Sequence, residues 1–418
     1  MKHLKIIQAE FFRFKRAEQD ATSREKLLKI GLLLSFLVIN SLATSCKTTK
    51  EPDVIIIDPV NAVEREVKLS NFTDHITYIP LESEVIFNNP FSIITTKDHF
   101  VLSTFPSNIL VFTRTGDFIN EIGKVGKGPG EYLFPKHLTY DQNESLIYIY
   151  DNKRILKYDL SGNFINELKL EKFNSGFHDL NLHNEKIYLA GGIHFGNAIY
   201  DWIIIDNSLN LRSYKLNHIG SFGAMGDGTI ISEGRGGFFS YSGDIYFWNS
   251  FNDTIFSIEP NSYKPAIVFE PGIFKHPHQP ILFADRSKYF SPRTIFGTNN
   301  FLFLSYVLDN HQYTAYFDKN DRFKIINKST NLNISDMPGI KNDLDDGPDF
   351  PPMYYFQENG EEYLLGWLHA FKFKAHVESE AFKNSTPKYP EKKKAIEELA
   401  LRLDENDNPV LMLVKLKE

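Results

Sequence analysis

The chain has 418 residues, 42% of them hydrophobic and 24% charged, and a formal net charge of −7. This is ordinary globular composition with enough apolar material for a large core, which excludes a disordered or fibrous chain. The acidic balance and the lack of a Lys/Arg-rich run exclude a nucleic-acid-binding surface of the usual kind. The 36 Phe and 20 Tyr residues, against 5 Met and 1 Cys, favour sheet.

In chain order, the first element is an export signal. Ile30–Leu42, "IGLLLSFLVINSL", is an uncharged apolar run preceded by Lys26 and Lys29. A transmembrane helix needs roughly 20 such residues, and a signal h-region about 7–15. "ATSC" follows, with small residues directly before the only cysteine, Cys46. This resembles the lipobox of bacterial lipoproteins, with Ala43 where an aliphatic residue usually stands. Cys46 is therefore the expected lipidation site, which also accounts for a lone cysteine that cannot form an internal disulfide. The expected organisation is a signal peptide over residues 1–45, a tether over 46–70 and one domain over 71–418.

That domain reads as strand after strand. Phe91–Gly123 contains "FSIITT", "FVLST", "ILVFTR" and "FINEIG", and His137–Leu170 repeats the order as "HLTYD", "LIYIYD", "RILKYDL" and "FINELKL". Alternating apolar residues between turn signals at this spacing predict antiparallel four-stranded units. Three further units follow with more drift. The sixth offers "MYYFQE" and "EYLLGWL", a helical stretch near Glu391–Asp404, and the C-terminal "NPVLMLVKLK". It lacks a fourth strand, and the orphan "HITYIPLE" near the N-terminus supplies one. The fold class is all-β: a six-bladed β-propeller whose last blade is closed by N- and C-terminal strands and carries a helical insertion.

"GKVGKGPGEY" (Gly123–Tyr132) is rich in glycine, yet Gly126-Lys127 is followed by Gly128 and no helix follows, so it is not a phosphate-binding P-loop. It reads as a hinge between units one and two. "ITYIPLE", "IGKVGKGPGEYLFP", "DLDDGPDFPP" and "ENDNPVLMLVKLK" together resemble the six-bladed β-propeller lipoproteins of Bacteroidota, akin to NHL and TolB-like propellers. The resemblance implies an exported, lipid-anchored propeller and carries over no catalytic residue.

Two clusters have metal-like composition. "KHPHQP" (Lys275–Pro280) holds two histidines but is set in a proline-flanked loop with no third ligand in view. "NDLDDGPDF" (Asn342–Phe350) lacks EF-hand spacing and is expected to be a solvated acidic loop. Neither serves as a metal site in this reading, and no nucleophile elbow or His-Glu-x-x-His motif occurs.

The functional expectation is a non-catalytic ligand-binding or protein-interaction module of the cell envelope, without cofactor. It would be held by its N-terminal lipid at the outer membrane and meet a glycan, a peptide or an envelope protein. The alternative is a calcium-dependent lactonase- or esterase-like hydrolase with its site in the central channel. For that site the inner strands offer His137, Asp179 and Asn181. Most long links (within 124–136, 218–236, 271–292, 329–352 and 370–408) fall on one face of the ring. Long loops on a rigid scaffold carry function, so Tyr132, Arg154, Arg235, Arg293, Asp346 and Phe350 are the candidate contacts.

Overall fold

The structure, a computed structural model, describes residues 54–64, 66–135, 137–151, 153–191, 199–217, 229–230, 236–250, 252–259, 262–277, 281–318 and 323–417. The expected signal peptide, residues 1–45, and Cys46 lie outside them. Residues 54–418 form one compact unit.

Two short strands come first, β1 (Ile55–Ile57) and β2 (Val63–Glu64), followed by β3 (Ile76–Pro80). Blade one is β4 (Pro90–Thr95), β5 (His99–Thr104), β6 (Asn108–Thr113) and β7 (Phe118–Glu121). Blade two is β8 (His137–Asp141), β9 (Leu146–Asp151), β10 (Arg154–Asp159) and β11 (Phe164–Lys169). Blade three is β12 (Phe177–His183), β13 (Lys186–Gly191), β14 (Tyr200–Ile205) and β15 (Leu211–Leu216). After β16 (Thr229–Ile230), blade four is β17 (Gly236–Tyr241), β18 (Asp244–Asn249), β19 (Thr254–Ile258) and β20 (Tyr263–Phe269). After β21 (Ile281–Leu282), which pairs with β16, blade five is β22 (Ser291–Gly297), β23 (Phe301–Leu308), β24 (His311–Asp318) and β25 (Lys324–Ser329). Blade six takes β26 (Tyr354–Glu358), β27 (Glu361–Leu368) and β28 (Val410–Lys415).

The predicted six-bladed propeller is what forms. The closing strand is the orphan segment, with β3 antiparallel to β28 from Ile76↔Val414 to Pro80↔Val410. Each pair of neighbouring blades shares one apolar core. Val101 and Val111 of blade one meet Leu138 and Ile149 of blade two, and Leu365, Trp367 and Leu411 of blade six meet Phe100 and Leu102 of blade one. These contacts are buried because the period-two pattern of each strand sends alternate side chains to the two adjacent blades.

The insertion between β27 and β28 holds α1 (Ala370–Glu378), α2 (Glu380–Lys383) and α3 (Pro390–Arg402). Ile396, Leu399, Ala400 and Leu403 pack with Phe373, Phe382 and Val410, so the apolar helix face is turned inward, as its spacing predicts.

One expectation is corrected. Residues 54–70 are not a free tether. β1 pairs parallel to β20 as a fifth strand of blade four, with Ile57 1% exposed among Phe269 and Tyr306. β2 then pairs parallel to β25 of blade five. Lys68 bridges Lys341, and Val67, Leu69 and Phe72 enter the core between blades five and six. The segment is a strap along three blades.

Candidate functional site

Each blade alternates strand direction from its inner edge outward, so all inner strands run the same way across the ring. Their first residues circle the channel mouth on the face that carries the long links. β8 begins with His137, β12 with Phe177, β17 with Gly236, β22 with Ser291 and β26 with Tyr354.

A polar cluster sits at this mouth where blades two, three and four meet. Asp179 Oδ1 lies 3.2 Å from Nδ1 of His137, and its Oδ2 accepts from the Phe238 amide at 3.3 Å. A Cβ on Gly237 would stand 2.2 Å from that same Oδ2, so only glycine admits the carboxylate there. Burial pushes the Asp179 carboxyl up, but the hydrogen bond and charge of His137, the charge of His178 and the Phe238 amide outweigh it and hold it below 3.8. His178 places Nδ1 2.6 Å from the Gly191 carbonyl and Nε2 3.0 Å from the Gly236 carbonyl. Carbonyl oxygens only accept, so both ring nitrogens donate and the geometry suits the imidazolium. His137 and His178 stand edge to face at 6.4 Å. The His137 Nε2 makes no hydrogen bond among the described residues and can meet a ligand. A carboxylate-oriented imidazole is fitted to give or take a hydrogen bond or a proton.

An apolar rim adjoins this cluster. Phe91 on β4, Phe105 in the β5–β6 link and Phe134 just before β8 are 42%, 53% and 64% exposed, with Ile86 and Val125 nearby in sequence on the links of the same face. Phe91 and Phe105 touch edge to face at 6.1 Å. Among the described residues, no exposed large apolar side chain lies within a short turn of the opposite face.

The expected contact residues do not converge. Arg293 is at the mouth, at the start of β22, but is 8% exposed and donates to the Leu332 carbonyl. Arg154 is on the long-link face, ion-paired with Asp151 and Glu167, and donates to the Glu131 carbonyl, which ties the hinge to blade two. Tyr132 is buried instead of facing solvent, because its ring fills the core between blades one and two and its hydroxyl donates to the Ile122 carbonyl at 2.9 Å. Phe350 is likewise core, between blades five and six. Asp346 lies on the outer flank of blade six, where its carbonyl accepts from His376. Arg235 lies outside the described residues. The glycine-rich segment is a hinge: the Tyr132 amide donates to the Lys124 carbonyl, the Gly126 amide donates to the Tyr132 carbonyl, and the Glu131 carboxylate accepts from the Gly128 amide at 2.6 Å.

Two clefts open on the short-turn face. One, of about 550 Å³, lies between blades five and six and is lined by Asp74, His75, Asn299, Glu361, Glu362 and Lys417. Its charges are matched internally: Lys417 pairs with Asp74 at 3.2 Å, and Glu362 accepts from the Asn299 amide at 2.7 Å. The other, of about 320 Å³, lies at the short-turn mouth of the channel beside Thr96, Tyr140 and Phe356.

A family model described as a domain of unknown function, DUF4934, matches residues 54–415. The chain belongs to the DUF4934 family. Its fold is similar to that of a protein of Bacteroides fragilis described as exported, at 18% identity and TM-score 0.60, over 87% of this chain and 99% of that one. A looser likeness is to a DUF4221 member from Bacteroides vulgatus, at 10% identity and TM-score 0.49, over 85% of this chain and 99% of that one. No match is found among curated proteins.

Within this DUF4934 propeller, no group of three or more His, Cys, Asp or Glu among the described residues could hold a metal ion. Of the two histidines of "KHPHQP", His276 is buried and His278 lies outside the described residues. The acidic loop is not solvated as its composition suggests. Asp345 is 2% exposed, and its Oδ1 accepts from Tyr78 at 3.0 Å, Asn342 at 2.7 Å and the Gly347 amide at 3.0 Å. The loop is a polar knot that fastens the closing strand β3. No helix among the described residues is long and apolar enough to cross a membrane.

Proposed function

We propose that this chain is an exported, lipid-anchored envelope propeller that recognises a partner protein through the long-link face at the channel mouth. The observation that carries the reading is the exposed rim of Phe91, Phe105 and Phe134 on the same face of the ring as the His137–Asp179 pair. Exposed aromatic surface next to oriented polar groups is the usual composition of an interaction hot spot. The signal-like N-terminus and Cys46 support the anchor. The exported description of the B. fragilis protein of similar fold agrees with it.

Photo-crosslinking groups placed at Phe105 and Phe134 of the full chain in intact cells should trap the partner. The same groups at Asn163 and Asn300 on the short-turn face should not, and crosslinks from those two positions alone would reverse the assignment. For the anchor, Cys46→Ala should abolish fatty-acid labelling and release the protein. Unchanged mass and membrane retention would refute lipidation.

A second reading has one observation in its favour. The 550 Å³ cleft between blades five and six falls in the size range of small-molecule sites. Its paired carboxylates and lysines suit a small polar ligand, and Glu362→Gln should weaken such binding while leaving the crosslinking at Phe105 unchanged.

A further inference from the structure

The six outer strands of the ring are not treated alike. β20 of blade four and β25 of blade five each carry an added parallel strand, β1 and β2, from the chain's own N-terminus. β3 of blade six is flanked by the acidic knot and α1, through Tyr78 with Asn342 and Tyr78 with Phe373. Among the described residues, β7, β11 and β15 of blades one to three are paired on one side only. An unpaired outer strand presents backbone donors and acceptors that a further strand can satisfy.

Among these three edges, β15 is the most apolar. Leu211, Tyr214 and Leu216 are 41%, 49% and 45% exposed, and Ile199, whose carbonyl accepts from Asn217 at the end of this strand, is 41% exposed. β7 is only four residues long. β11 exposes two large apolar side chains, Phe164 and Ile165, at 40% and 48%, beside the Glu167–Lys169 ion pair at 3.4 Å, whereas β15 exposes three and its charges, Arg212 and Lys215, are paired with Asp206 and Asp201 of its own blade.

We infer that the outer edge of β15 is a docking site for an extended, apolar polypeptide segment of a partner protein, added parallel to β15 as a fifth strand of blade three. The pattern for the occupant is taken from the chain's own strap. The segment that adds to blade four is Val54–Asp58, "VIIID", with Ile55↔Ile267 and Ile57↔Phe269 in register and the Glu270 amide donating to the Ile57 carbonyl at 2.8 Å. Blade three is built in the same strand order and ends in the same direction. Main-chain bonds would supply affinity, and apolar side chains at alternate positions would cover Tyr214 and Leu216. This surface is on the circumference of the ring and is independent of the channel mouth.

The test uses the full chain and a synthetic peptide copying residues 54–64, VIIIDPVNAVE. Hydrogen exchange should show slowing of the amides of residues 211–216 on peptide addition. Leu216→Lys and the double variant Tyr214→Lys/Leu216→Lys should each weaken peptide binding at least tenfold while cooperative unfolding is retained, since both side chains are about half exposed. The proposal is overturned if the peptide does not bind, if protection appears only at 263–269 through displacement of β1, or if the lysine variants bind as the parent does.

Discussion

Asp179 and Asp345 are both carboxylates inside hydrogen-bonded clusters, yet they are expected to respond to pH with opposite sign. Asp179 is held below its ordinary value of 3.8, by His137 above all the favourable partners. A depressed folded value supplies stability that is present above the unfolded pKa and is lost as pH falls through the folded one. Asp179→Asn should therefore cost about 1–2 kcal/mol at pH 7, and denaturant melts should show parent and variant converging as pH falls below the ordinary aspartate value of 3.8. A gap that stays constant with pH would contradict this. Asp345 is raised, because burial outweighs the Gly347, Tyr78 and Asn342 donors. Its contribution is full below 3.8 and declines as pH rises through the folded value. Asp345→Asn should flatten the fall in stability as pH rises from 3.8, read from melting temperatures across a pH series. The sequence named Asp179 as an inner-strand carboxylate, but nothing in it distinguished the satisfied Asp345 from a solvated aspartate. That difference lies in Tyr78, far away in the chain. Tyr132 and Phe350 were misjudged for a related reason, since loop position does not reveal whether an aromatic ring turns into a core. The signal for the exposed pair was present in Phe105-Pro106 and Phe134-Pro135, where a proline stiffens a link and presents the ring before it.

At the scale of elements, the blades were legible because alternation and turn dipeptides recur at a fixed interval, and the hinge at Gly123–Tyr132 because no helix follows it. The strap was not legible. β1 and β2 have only three and two residues, and their partners β20 and β25 lie some two hundred residues or more away. No local period marks a strand that belongs to another blade. Its importance can be measured. Ile57 is 1% exposed, so Ile57→Ala should cost about 2–5 kcal/mol through the cavity it leaves. Val60, 40% exposed in the same strap, should tolerate alanine with little change in melting temperature. Equal effects at the two positions would mean that the strap does not pack as described. The hinge offers a second check. Gly130 has φ +71° and a Cβ there would meet the Phe164 ring at 2.7 Å, so Gly130→Ala should destabilise by at least about 1 kcal/mol.

For the whole molecule, closure rests on β3 and β28 and on the six shared cores. Removing residues 409–418 takes β28 from the middle of its sheet and leaves β3 without a partner. That truncation should abolish cooperative unfolding, followed by calorimetry. A truncated chain that melts as sharply as the parent would show that the ring closes by other means. The strap gives this architecture an order in time. Residues 54–80, made before any blade is complete, find their partners in β20, β25 and β28, which follow only from residue 263 onward. Through most of its synthesis the chain must therefore carry an apolar leading segment with nowhere to settle, and contacts at such separation form slowly. The final strand to arrive completes blade six and so gives β3 its place. A cell that makes this protein must keep its beginning soluble until its end has appeared.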